Sequence, residues 1–186
     1  MLASASPRRA HILGTLGVAF RVRISNVEEI IQPGEPAAVS AERLARAKAD
    51  AVARREVLPV LGADTVVLCE GRILGKPASA AEAAHMLRLL AGRRHEVLTG
   101  VCLQTGTTAR SAVERTSVTF APMTEEEIAW YVGSGEALDK AGAYHVDGRG
   151  SLFIESVDGS PSNVAGLPVR LFLRLVREAG LSLGLP

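Results

Sequence analysis

Apolar positions recur along this chain with two periods, and the changes between them divide it into helices and strands. Ile12, Leu13 and Leu16 fall at helical spacing behind SPRR, where Ser6 is placed to cap and Pro7 suits the first helical position. FRVRISNVEEI reads as a strand running into an acidic loop, and QPGEP breaks the chain before a second helix. From Ser40 to Arg55 that helix is amphipathic. At about 100° per residue Ala41, Leu44, Ala45, Ala51 and Val52 share one arc, and Glu42, Arg43, Arg46, Asp50 and Arg54 share the other. Lys48 falls inside the apolar arc.

VLPVLGADTVVLCEGRILGKP holds two β-rich runs around Glu70-Gly71, a hairpin turn that sets Thr65 opposite Lys76 and brings Asp64 and Lys76 to the open end. Pro77 stops the second run, and Ser79 with Glu82 forms a capping box for a helix through Leu90, closed by Gly92. HEVLTGVCLQ and SAVERTSVTF read as two long strands joined around TGTT. Thr124 and Glu127 box the start of another helix, which ends near Gly133 to Gly135. DKAGAYHVDGRG is glycine-rich and irregular, SLFIESV a short strand, DGSPSN a turn, and LPVRLFLRLVREAG a closing helix with Pro168 near its start. Isolated strands and hairpins among helices predict an α/β fold with a mixed sheet flanked by helices, in place of a doubly wound parallel one. Residues 1–186 fit a single domain with a sizeable core, and polar loops from several regions could line a cleft between two lobes.

Composition narrows the function. With 47% hydrophobic residues and a net charge of +1, the chain is neither disordered nor a broadly basic nucleic-acid binder, so any anion site is local. No apolar run reaches membrane-spanning length and no secretory pattern opens the chain, which predicts a cytoplasmic protein without membrane association. Cys69 and Cys102 lie in apolar, strand-like contexts without metal-ligand spacing and read as buried thiols. Arginine outnumbers lysine 18 to three, and Lys48, Lys76 and Lys140 are therefore positions to inspect, because the two side chains are not equivalent at a tight site.

Arg8 and Arg9 stand where a helix N-terminus disfavours cations. Either they point to solvent or, with the helix N–H groups, they form a phosphate cradle; a DNA-groove arm would want a longer basic tract. Lys48 either snorkels out of the apolar face or meets an anion there, a substrate phosphate or an acidic side chain. Asp64, behind the small pair Gly62-Ala63, is a turn aspartate or a catalytic carboxylate at a strand end. Asp64, Lys76 and one of Glu28 or Glu29 would suit a divalent ion holding phosphates, since magnesium uses one or two carboxylates and takes its other ligands from substrate and water. The histidines show no ligand spacing, and GxSxG, P-loop and GxGxxG fingerprints are absent from the sequence.

LASASPRR, NVEE, LARAKA, GADTVV, ILGKP, MLRLLAGRRHEVLTGV, DKAGAYHVDGRG and NVAGLP together resemble the motifs of the Maf family of nucleoside triphosphate pyrophosphatases along essentially the whole chain. The resemblance implies an elongated, ITPase-like α/β fold with a central cleft, a divalent metal (magnesium, manganese or cobalt), a homodimer, and hydrolysis of a noncanonical or pyrimidine nucleoside triphosphate to monophosphate and pyrophosphate. By position it implies Asp64 as proton acceptor, Lys48 and Lys76 as phosphate ligands, Ser6, Arg8 and Arg9 as substrate contacts, and Glu29 with Asp64 as metal ligands. The family's history also suggests a regulatory role in septum formation, with nucleotide binding as a signal without turnover. Lys140 of DKAGAY is open between an ion pair and a substrate contact.

Within the family, Arg8 and Thr65 match the branch acting on dTTP and UTP, whereas YHVDG departs from that branch's YGIQG and puts His145 for glycine and Asp147 for glutamine. Glutamine both donates and accepts toward a uracil or thymine edge; an ionised aspartate only accepts. The resemblance therefore implies a relaxed or shifted base preference.

Overall fold

A computed structural model of the chain describes residues 1–183. Its helices are α1 (Pro7–Thr15), α2 (Ala37–Ala53), α3 (Ala80–Leu90), α4 (Glu125–Gly133), α5 (Pro161–Val164) and α6 (Val169–Glu178), and its strands are β1 (Val60–Cys69), β2 (Arg72–Leu74), β3 (Arg94–Thr105), β4 (Thr108–Phe120) and β5 (Ile154–Asp158). The five strands form one sheet in the order β2-β1-β3-β4-β5, with β1/β2 and β4/β5 antiparallel. Leu2 adds parallel bridges to Leu61 and Val22, so the pairing is mixed, as the element pattern predicts.

The chain divides into two compact units, one of residues 1–64, 99–114 and the stretch from Gly166 onward, the other of 65–98 and 115–165. In the first unit Leu2, Leu13, Leu61, Val101, Leu103, Leu167, Leu171, Phe172 and Leu175 make one core, and Ala45, Ala49, Val52, Val60 and Cys102 make a second under α2. In the other unit Val67, Leu87, Leu90, Val97, Phe120, Ile128 and Tyr131 are among the buried residues of a third core, where α3 packs against α4.

Most predicted elements are present. The Glu70-Gly71 turn has positive φ at both central residues, the requirement of a type I′ hairpin, and pairs Cys69 with Arg72 and Val67 with Leu74. The same register carried two pairs further sets Thr65 against Lys76, although β2 itself stops at Leu74. Thr124 and Glu127 close a full capping box. At α3 the Ser79 hydroxyl accepts from the Glu82 N–H, but the Glu82 carboxylate accepts from Ala78. Both cysteines are buried and unpaired with each other.

Three expectations change. FRVRIS is no strand: beside Leu2 only Val22 bridges, because one buried residue of the N-terminal segment offers it a partner. The second helix begins at Ala37, directly behind Pro36, and ends at Ala53. DGSPSN is no plain turn, because Ser160 caps a one-turn helix with Pro161 at its first position. No helix among the described residues is long and apolar enough to cross a membrane.

His95 lies in the second unit, 2% exposed, its Nε2 at 3.0 Å from the Tyr144 hydroxyl and its ring edge-on to Phe120 and Tyr144. Burial pushes its pKa from 6.5 down to about 4, so it folds neutral. The unfolded chain binds a proton near 6.5 and the folded one only near 4, so this contribution is complete above that window and falls as the pH drops through it. His95→Gln is expected to lack a loss of roughly 3 kcal/mol that the native chain suffers between pH 6.5 and 4, as read by urea unfolding at both pH values.

Candidate active site

The first unit holds a cluster of buried charge built by α2 on the sheet. Ala41, Leu44, Ala45, Lys48, Ala49 and Val52 form the buried face of α2. A Cβ on Gly62 of β1 would fall 2.3 Å from the Ala45 carbonyl oxygen, and one on Gly100 of β3 would fall 2.2 Å from that of Ala41. Glycine on the strands and alanine on the helix thus let backbone approach backbone. Lys48, on this same face, is carried onto the end of β1, where its Nζ donates to Asp64 Oδ1 at 2.5 Å and to Glu29 Oε1 at 2.7 Å.

Lys48 and Asp64 side chains are each 6% exposed, while that of Glu29 is 38% exposed. The acidic-partner reading of Lys48 therefore describes this structure. Burial raises the pKa of Asp64 above the ordinary carboxylate range, the charge and hydrogen bond of Lys48 and the charge of Arg9 pull it back, and Glu29 adds to the rise. Glu29 and Asp64 also have the chemistry to hold a hard cation: two carboxylates gathered on one centre, as magnesium uses when substrate and water complete its shell. Among the described residues no group of three or more His, Cys, Asp and Glu is placed to hold an ion.

The start of α1 is as predicted in its backbone and different in one side chain. Ser6 caps the helix, its hydroxyl accepting from the Arg9 N–H, and Pro7 is its first residue. Arg8 is partly exposed. Arg9 folds inward to 8% exposure, donating from Nε to the Gly166 carbonyl at 2.8 Å and from Nη1 to the Ser4 hydroxyl at 3.2 Å. Burial lowers its pKa, while Asp64 and Glu29 oppose that shift. Arg9 is thus a second buried cation whose charge is felt at the same carboxylates, tied to a backbone carbonyl and a serine hydroxyl by a fork that a lysine lacks.

Asp64, Lys48, Glu29 and Arg9 are brought together in this way. Thr65, Lys76 and Asp147 belong to the second unit, Thr65 partly buried and the other two exposed. Asp147 lies on a loop fixed by Glu136, whose carboxylate accepts from the Arg149 and Gly150 N–H groups at 3.1 and 3.2 Å and from the Tyr131 hydroxyl at 3.0 Å. Burial raises the Glu136 pKa, but these donors outweigh it and the net shift is downward. Lys140 pairs with Asp139, which describes the ion-pair reading of that residue. Missed from the sequence were the close approach to the helix at Gly62 and at Gly100, and the roles of Ser4 and Glu136. A lone glycine inside a strand pattern was the available signal for the first two.

A family model described as Maf-like protein matches residues 1–179. A dTTP/UTP pyrophosphatase of Anaeromyxobacter sp. (strain Fw109-5) is 50% identical over 185 residues, 97% of this chain and 89% of that one. A dTTP/UTP pyrophosphatase of Deinococcus radiodurans is 48% identical over 183 residues, 98% of this chain and 93% of that one. The solved structure of a HAM1 protein from Coxiella burnetii is similar over 95% of this chain and 97% of its own, at 17% identity and a TM-score of 0.49.

Lys48→Met leaves Asp64 buried without its main counter-charge and is expected to destabilise the chain by about 3–5 kcal/mol at neutral pH. Losing the ammonium raises the Asp64 pKa further, and a raised carboxyl favours folding where it is protonated, so the deficit shrinks as the pH falls. Urea unfolding at pH 7 and pH 5 reads both effects; an equal deficit at the two values would place the cost elsewhere.

Proposed function

The chain belongs to the Maf family, and on that premise we propose that it is a nucleoside triphosphate pyrophosphatase that hydrolyses dTTP, UTP or related modified nucleotides to the nucleoside monophosphate and pyrophosphate. The observation that carries the reading is the Lys48 ammonium, buried beneath α2 and hydrogen-bonded to two carboxylates. Stability alone gives little reason for such a buried cluster, since replacing all of its charged members together by well-packed apolar residues is often neutral or stabilising. Catalysis does have a use for it. The names and identities of the relatives supply the reaction class.

In the proposed reaction water attacks the α-phosphorus, Asp64 accepts the water proton, and the bond to the bridging oxygen breaks, so that pyrophosphate leaves with the electron pair. A carboxylate whose pKa is raised is a stronger base than an exposed aspartate, provided that it stays ionised. Burial supplies the first condition and Lys48 the second. Lys48 and Lys76 act on the phosphates as donors and charges, Ser6 and Arg8 contact the substrate, and Arg9 acts from its buried position through charge. Glu29 and Asp64 would hold magnesium, manganese or cobalt, which when bound supplies charge neutralisation at the phosphates. Thr65 and Asp147 are assigned to the base, and the protein is taken to be a cytoplasmic homodimer.

Pyrophosphate release from a panel of canonical and modified nucleoside triphosphates, with each of the three metals, tests the reading. Expected is metal-dependent release from UTP or dTTP, with kcat reduced at least about 100-fold in Asp64→Asn and the fold retained by circular dichroism. Near-normal turnover in Asp64→Asn would remove Asp64 as the base, and no release from any substrate would favour a nucleotide-binding regulator of septum formation.

Asp147 accepts from a base N3–H but has no donor for a carbonyl. Asp147→Gln is therefore expected to raise the kcat/KM of UTP and dTTP relative to other bases. An unchanged substrate profile would take Asp147 out of base recognition.

A further inference from the structure

Glu29 differs from its partners in what places it. Lys48 comes from α2 and Asp64 from β1, whereas Glu29 stands in residues 23–36, a stretch without helix or strand. It is also the exposed member of the cluster. An ion pair at a partly exposed side chain is a weak anchor for an irregular loop, because ordering its backbone and rotamers opposes the gain. The loop that carries Glu29 has a second tie.

The fixing group is on α2 itself. Arg43, five residues before Lys48, donates from Nε to Glu35 Oε1 and from Nη2 to Glu35 Oε2, both at 2.7 Å. The same Nη2 donates to the Ile30 carbonyl oxygen at 2.9 Å. One planar guanidinium thus ties the far end of the loop and the residue next to Glu29 to the helix that carries Lys48. The Glu35 side chain is only 8% exposed, and the hydrogen bond from Arg43 holds its pKa at about 2, so the pair persists at any working pH.

We infer that Arg43 and Glu35 are a positioning clamp that holds the loop of residues 28–35 on α2 and so keeps the Glu29 carboxylate at Lys48 and Asp64. The inference deepens the pyrophosphatase reading and rests on it for the role of Glu29. Neither residue of the clamp touches the reacting atoms. A lysine at position 43 keeps the charge but lacks the fork that reaches two acceptors on Glu35 and a third on Ile30.

Amide hydrogen exchange of residues 28–35, with exchange in β3 as the fold control, tests the clamp directly. Exchange is expected to accelerate in Arg43→Gln and in Arg43→Lys, and an unchanged rate in Arg43→Gln would overturn the clamp whatever the enzyme does. Mn²⁺ titration without nucleotide reads its consequence. Arg43→Gln is expected to weaken Mn²⁺ binding about tenfold, as residues that orient metal ligands do. Adding it to Glu29→Gln is expected to weaken binding no further, since Arg43 acts through Glu29. Multiplying effects would overturn the inference. Wild-type Mn²⁺ affinity in Glu29→Gln would instead overturn the metal role given to Glu29, and the exchange data would still decide the clamp.

Discussion

The charged cluster depends on how closely α2 lies on the sheet. Ordinary side chains hold a helix off a sheet, which leaves a lysine stem room to turn toward water. At Gly62 and Gly100 no side chain intervenes, and the facing residues of the helix are alanines. Lys48 is drawn under the helix with its ammonium, and a buried ammonium requires an anion within hydrogen-bond reach. Asp64, two residues along the strand from Gly62, meets that requirement. The spacing GAD thus contains both the approach and the counter-charge.

Burial then sets the chemistry of each member against the others. Burial disfavours the charge of Asp64, and the Lys48 ammonium beside it favours that charge. Arg9 enters the same balance, donating to Gly166 and Ser4 while its charge pulls the Asp64 pKa down against burial. Two cations and two carboxylates leave the cluster near neutral, and a polyanion arriving there meets donors already oriented. If the cluster binds phosphates as proposed, preorganisation of this kind accounts for a lysine on the apolar face of a helix.

The sequence made legible what local rules decide. The I′ turn at Glu70-Gly71, the caps at Ser6, Ser79 and Thr124, and the face of α2 follow from spacing and turn chemistry, and each is present. Of the cluster, Lys48 and Asp64 were marked by being the wrong residue types for their surroundings. FRVRIS misled because its alternation is that of a strand while its only partner is a single residue near the chain start. Arg43 is placed on the polar arc and Arg9 is left between solvent and a phosphate cradle, because position along a helix fixes where a side chain starts and leaves open which carbonyl, 157 residues away for Arg9, it reaches. Long-range acceptors leave no periodic trace.

The irregular stretch DKAGAYHVDGRG shows the same limit with a different consequence. Glycine-rich composition suggests freedom, yet Glu136 gathers three donors from Tyr131, Arg149 and Gly150, and a Cβ on Gly148 would fall 2.5 Å from its carboxylate. The Tyr131 hydroxyl in turn accepts from the His145 N–H, so the backbone is tied on both sides of Asp147. A loop held at both ends does not shift to compensate for a changed side chain. If Asp147 faces the base as proposed, the missing donor is not supplied by movement of the loop, and the altered preference follows from the carboxylate itself.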